Sequence, residues 1–341
     1  MRVTRLRWLV LTLSFFLLTF GGWAGVHLGT YLPTFACYFV GPDSYGGACF
    51  FPQFQMELAR GSLVGLGNAL LFAGVAILLI VPLGSAWCGW ICPFAFIQDL
   101  LHLVRRKLGI GYLRFPARLR QGLRSVKWVF LFIFLLLPLW AAFPVLVPAV
   151  ARHLDVPFCE LCPARYIMPM MTGRAIYSGV SLENATTIFL SGLGAIFAIL
   201  TLVLALFKRR FWCAYCPMVL ILSFFRAISL PRLKKDVQKC TRCEICFNVC
   251  PMEIEQVFKE REKEDVTFPD CVLCLACVEH CPEDDALRAT YGGKTFFRSS
   301  RQGFFRRRGI GVAMENQQGR KSWPNASNAC PGPWGDPPKG C

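Results

Sequence analysis

Two stretches carry the clearest chemistry in the chain. CTRCEICFNVCP holds Cys240, Cys243, Cys246 and Cys250, and CVLCLACVEHCP holds Cys271, Cys274, Cys277 and Cys281. Both read C-x2-C-x2-C-x3-C-P. Three thiolates at this spacing can wrap one iron–sulfur cubane, and the fourth cysteine of each run serves the other cluster. The expected ligand sets are therefore Cys240, Cys243, Cys246 with Cys281, and Cys271, Cys274, Cys277 with Cys250, each holding a 4Fe–4S cluster. Zinc is the alternative, but zinc motifs do not usually come as two such four-cysteine runs. No nucleophile–base pair or phosphate loop accompanies the cysteines, so the module carries electrons and breaks no bonds itself.

Two further motifs, SAWCGWICPF (Cys88, Cys92) and RRFWCAYCPM (Cys213, Cys216), each end in Cys-Pro before an apolar stretch, 94–104 or 218–230. Proline suits a first helical turn, and a helix N-terminus favours an anionic neighbour. The alternative is that such cysteines are small buried hydrophobes. Cys37, Cys49, Cys159 and Cys162 complete a repeat: Cys37 to Cys159, Cys88 to Cys213 and Cys92 to Cys216 are shifts of 122, 125 and 124 residues. Cys88, Cys92, Cys213 and Cys216 would form a cluster at the inner membrane edge. For Cys37, Cys49, Cys159 and Cys162 three readings stay open: structural disulfides, a redox-active disulfide, or an outer cluster or another metal such as copper.

These motifs must be held by a chain of 341 residues that is 55% hydrophobic, carries a formal charge of +16 and contains 18 cysteines. Four apolar runs, about 8–28, 62–83, 126–147 and 187–207, approach the ~20 residues that cross a bilayer; Pro138 and Pro144 should bend the third. A cleaved signal peptide is the alternative for the first, but its apolar stretch is long for one. Lys and Arg cluster before the first run, over 105–127 and at 208–210, while 31–61 and 148–186 carry few. The positive-inside rule then places both termini in the cytoplasm and those two loops outside. The outer four cysteines would lie about 30 Å of hydrocarbon away from the inner four, a gap that a quinone or other carrier would have to bridge. The basic excess follows membrane topology and does not call for nucleic acid.

The expected fold is thus a membrane all-α domain, residues 1–235, with four transmembrane helices in two pseudo-repeated hairpins. A small α+β two-cluster ferredoxin domain follows over 236–290, and a basic, Gly/Pro-rich disordered tail over 291–341. Asp99 and His102, three apart on one helix face, are candidate acceptors for the protons that quinol oxidation releases. His27 and His153 could ligate haem, but lone histidines are not usually ligands, and Cys330 and Cys341 fit no motif.

The order of four spans, two inner Cys-Pro motifs and a C-terminal two-cluster ferredoxin resembles the NapH-type membrane ferredoxins, which are similar to MauN, to the C-terminal part of NosR and to the CcoG-like proteins. CGWICPFAFIQDL is close to that family's first inner motif. The resemblance covers about residues 1–290 and implies an inner-membrane, multi-pass protein that relays electrons between the quinone pool and periplasmic or cytoplasmic redox partners, as in a quinol dehydrogenase complex. Two rivals stand behind this reading: a maturation factor that supplies electrons to another enzyme's metal or cofactor, as the MauN-, NosR- and CcoG-like relatives suggest, and a redox sensor or scaffold subunit. Two features depart from the pattern. CAYCP is one residue shorter than the usual C-x3-C-P, and the outer cysteines look like those of a less characterised branch.

Overall fold

The computed structural model describes residues 3–26, 33–34, 37, 48–141, 157–171 and 185–308. His27, His153, Pro144, Cys330 and Cys341 lie outside these residues. In chain order the elements begin with helix α1 (Val3–Phe20) and a short parallel pair, β1 (Pro33–Thr34) with β2 (Ala48–Cys49). Helices α2 (Phe50–Ala59), α3 (Leu63–Leu83), α4 (Pro93–Lys107), α5 (Ala117–Ala141), α6 (Pro157–Leu161), α7 (Pro163–Met171), α8 (Ala185–Phe207) and α9 (Pro217–Phe224) follow. The chain continues with strands β3 (Pro231–Lys235), β4 (Leu287–Tyr291) and β5 (Lys294–Arg298), and helix α10 (Arg301–Arg308).

Among the described residues three helices are long and apolar enough to cross a membrane: Val3–Ala24, Leu63–Leu83 and Ala117–Trp140. Within the described residues all four expected runs are largely helical, but in α8 the apolar part is the shorter stretch Ser191–Phe207. These helices turn large apolar side chains outward: Leu63, Leu70 and Leu78 on α3, Phe132 and Leu136 on α5, Ile196, Ile199 and Leu200 on α8. Such faces suit lipid, where a helix satisfies its own backbone polar groups. Helix α5 runs on through Pro138 to Ala141.

The chain divides into two compact units, Met1–Leu9 with Val81–Trp90 and Ile221–Cys341, and Val10–Ile80 with Ile91–Leu220. The first is built on an antiparallel sheet in the order β3–β4–β5. Its hairpin turn uses Gly292 and Gly293, both at positive φ, as a tight two-residue turn requires. The ferredoxin module begins earlier than residue 236, because β3 pairs with β4 along its whole length, Leu233 opposite Ala289. In β3, Pro231, Leu233 and Lys235 alternate inward. Lys235 tolerates burial because its ammonium donates to the carbonyls of Val257, Phe258 and Glu260, at 2.8–3.2 Å. The module also ends later than residue 290. Residues 294–298 form β5 and 301–308 form α10, so an aperiodic tail does not begin at Tyr291. The Ser299 hydroxyl closes that end, donating to the Glu283 carbonyl at 2.7 Å and accepting from the Leu287 N–H at 3.1 Å.

The second unit packs around one aromatic-rich core. Phe15 of α1, Phe94 and Ile97 of α4, Ala164 and Met168 of α7, Ala205 of α8, and Phe211, Trp212 and Tyr215 meet there. Tyr215 sits 5.0 Å from both the Phe211 and Trp212 rings, its hydroxyl 3.2 Å from that of Thr201. Helix α7, expected in an outer loop, thus packs at the C-terminal end of α8, close to the basic run 208–210. Its buried Ala164 and Met168, four apart on one helix face, give the segment an apolar stripe that needs cover.

Candidate iron–sulfur centres

The two ferredoxin runs wind alike. Arg242 and Glu244 in the first, Leu273 and Leu275 in the second, adopt positive φ between 46° and 59°. These left-handed residues at matching places curl each loop so that main-chain N–H groups turn inward; those of Ile245 and Leu273 reach the sulfurs of Cys243 and Cys271. Cys240, Cys243, Cys246 and Cys281 line one cavity of about 370 Å³. Cys250, Cys271, Cys274 and Cys277 line a second of about 410 Å³, together with Cys246 and the apolar Leu233, Met252, Ile254 and Val257. Burial pushes the thiol of Cys281 up to about 11, so the pocket itself does not favour bare thiolates; iron would supply the compensating positive charge. Among the described residues no three Cys, His, Asp or Glu side chains could share a single metal ion.

Within the same unit the first Cys-Pro motif docks onto the second ferredoxin run. Cys88 and Gly89 belong to a π-helical turn, Trp87–Ile91. Gly89 lies so close to Val272 that a Cβ there would stand 2.1 Å from its carbonyl oxygen. The Trp90 indole donates to the Leu273 carbonyl at 2.8 Å, and Arg7 Nε donates to the Gly89 carbonyl at 2.8 Å. At the start of α1, the Thr4 N–H donates to the Glu279 carboxylate at 2.8 Å. The sequence reading took Gly89, Trp90 and Arg7 as motif and topology residues. A glycine beside a motif cysteine was the available sign of a close backbone approach.

In the second unit Cys92 precedes Pro93, the first residue of α4, and accepts from the Phe94 and Ala95 N–H groups. Cys216 precedes Pro217 and α9 in the same way. Cys92 and Cys213 lie within charge–charge reach of each other and of Arg210. Gln98 ties the two repeats together. Its Oε1 accepts from the Trp212 N–H at 3.0 Å, and its Nε2 lies 3.5 Å from Cys213 Sγ.

Asp99 is 1% exposed and clamped by Arg209 Nε at 3.0 Å and Arg210 Nη2 at 2.9 Å. This geometry sets Asp99 in a structural ion-pair role, because protonating it would weaken its pairing with two buried guanidinium groups. The basic run 208–210 is correspondingly more than a topology signal. His102 is fully buried one turn along, edge-on to Tyr112 with ring centres 6.2 Å apart.

Cys37, Cys49, Cys159 and Cys162 come together in this unit. Cys159 is within charge–charge reach of Cys49, Cys162 and Cys37, and Cys162 of Cys37 and Cys49. The expected separation from the other membrane cysteines is overturned. Cys49 lies within the same reach of Cys92, and Cys37, Cys162, Cys92 and Cys216 all flank the aromatic core. The cause is the inward packing of α7, which a reading by loop charge could not register.

A family model described as a 4Fe-4S binding domain matches twice, at 65–111 and 190–236, a shift of 125 residues at each end, and one described as a 4Fe-4S dicluster domain matches 232–282. Similar proteins include an uncharacterised protein of Methanocaldococcus jannaschii, 26% identical over 264 residues, 76% of this chain and 93% of that protein. The methylamine utilization ferredoxin-type protein MauN of Methylorubrum extorquens is 31% identical over 237 residues, 68% of this chain and 71% of MauN. The ferredoxin-type protein NapH of Haemophilus influenzae is 28% identical over 229 residues, 64% of this chain and 68% of NapH. No solved structure matches the chain. Apolar helices, paired Cys-Pro motifs and a two-run ferredoxin module define a membrane-associated iron–sulfur protein of electron-transfer type. The chain belongs to the ferredoxin-type family that includes NapH and MauN.

Proposed function

We propose that the protein relays electrons between membrane quinol and partner redox proteins, with both termini in the cytoplasm. The observation that carries this reading is the seat of Gly89 and Trp90 against Val272 and Leu273. It sets the residue after Cys88 in main-chain contact with the residue after Cys271. A through-protein path thus joins the Cys-Pro motif to the ferredoxin ligands with no gap of solvent or lipid.

Cys240, Cys243, Cys246 and Cys281 would hold one 4Fe–4S cluster, Cys250, Cys271, Cys274 and Cys277 a second, and Cys88, Cys92, Cys213 and Cys216 a third. Bound there, such clusters supply one-electron oxidation and reduction without bond chemistry. The chain's own part is to shield and connect them. Leu233, Met252, Ile254 and Val257 exclude water from the second ferredoxin set, and Gln98 aims a hydrogen bond at Cys213. His102 takes over as the candidate proton acceptor, with Asp99 kept as the anchor of α4.

The test is anaerobic mixing of the full-length protein in detergent with a water-soluble quinol analogue. Bleaching of the iron–sulfur absorbance at a rate that saturates with quinol supports the relay. Ready reduction by dithionite with no response to any quinol would sink it and favour a factor that feeds another enzyme's metal or cofactor.

A further inference from the structure

We propose that Cys37, Cys49, Cys159 and Cys162 are the four ligands of a further iron–sulfur site, built beside the Cys92 motif inside one compact unit. The main chain gathers them. Thr34, three residues before Cys37, pairs with Cys49 in the parallel β1–β2 pair. The Cys37 thiol is 3.6 Å from the Ala164 carbonyl, two residues beyond Cys162. The Phe51 ring, two residues after Cys49, lies 4.7 Å from that of Phe158, and Phe158 precedes Cys159. Phe134 closes the same wall, 5.4 Å from Phe158 and fully buried.

Two of the four thiols repeat the setting of the Cys-Pro motifs. Cys49 is the residue before α2 and accepts from the Phe51 N–H; Cys162 is the residue before α7 and accepts from the Ala164 and Arg165 N–H groups. In both, the first N–H groups of a helix face the place an anionic cluster would take, which the helix dipole favours. Arg165 adds a positive charge within reach of Cys159. A lone helix end would mean little. Here two of them, two more cysteines and an aromatic wall converge. Four cysteine thiols are the ligand count of a 4Fe–4S cluster.

The site extends the relay proposed above by one station next to Cys92, and its ligation is testable apart from quinol chemistry. Full-length protein is purified anaerobically, and iron and acid-labile sulfide are counted in wild type and in Cys49→Ala/Cys162→Ala. The expected loss is about four irons and four sulfides per chain, with the ferredoxin EPR signals kept. As a readout that needs no variant, wild type is alkylated before and after iron chelation, and its cysteine peptides are mapped by mass spectrometry. Cys159 and Cys162 should be protected until the iron is removed. Unchanged iron in the variant overturns the proposal, as does recovery of any two of the four as a disulfide from the anaerobic protein. If the variant fails to fold, the alkylation map decides alone. A quinol-inert protein that still shows this iron would sink the relay and leave the site standing.

Discussion

Single residues near the cysteines do work that no ligand motif announces. Gln98 spans the two repeats through Trp212 and Cys213. Replacing it with leucine leaves the buried Trp212 N–H unmet, a cost of about 1–3 kcal/mol, and removes a donor to a ligand sulfur. The expected outcome for Gln98→Leu is a lower melting temperature in detergent and a more negative midpoint potential for one EPR signal. Unchanged values in both would show that the bridge is idle. Gly89→Ala should be worse tolerated than its chemistry suggests, because the new methyl would meet the Val272 carbonyl. Overpacking of this kind costs roughly 1–3 kcal/mol, whereas Gly74→Ala in α3 adds its methyl to open space and serves as the control. The ligand spacings of the ferredoxin runs were fully legible in the sequence, because local winding alone brings three of each four together. Gln98 and Gly89 were not legible in these roles, because their partners lie 114 and 183 residues away.

At the level of elements, the buried triad of Asp99 with Arg209 and Arg210 pins α4 to the segment after α8. Asp99→Asn should destabilise the membrane unit by about 3–5 kcal/mol, since two buried cations lose their counter-charge. Thermal unfolding without any quinol present is the measurement. A mutant of wild-type stability with an altered pH–rate profile would return Asp99 to proton chemistry. The helices themselves could be read from composition, down to the Cys-Pro starts of α4 and α9. The place of α7 could not. Loop charge reports which side of a membrane a segment enters from, but says nothing of how deeply it folds back onto its neighbours.

For the molecule as a whole, the ferredoxin module takes in more chain than its cysteines bracket, from β3 to α10. A chain ending at Thr290 would lose β5 and Ser299, which hold the segment from Glu283 to Leu287 beside Cys281. It should be purified with less ferredoxin iron than the full chain, and equal iron and stability would show that the hairpin is dispensable. The division into membrane helices and a terminal ferredoxin was visible from hydropathy and cysteine spacing. The outer limits of the module were hidden because β3 reads as a basic linker and β5 is largely solvent-facing. The paired left-handed residues Arg242, Glu244, Leu273 and Leu275 bear on biosynthesis as well. Each holds roughly 1–3 kcal/mol of backbone strain, which the proposed ligation would offset. A newly made chain short of iron would therefore let these loops relax, and folding of the module would be coupled to metal delivery. Under iron starvation the cell's proteases would meet an open C-terminal half on an anchored N-terminal one, so that abundance of the intact protein becomes a gauge of the iron supply.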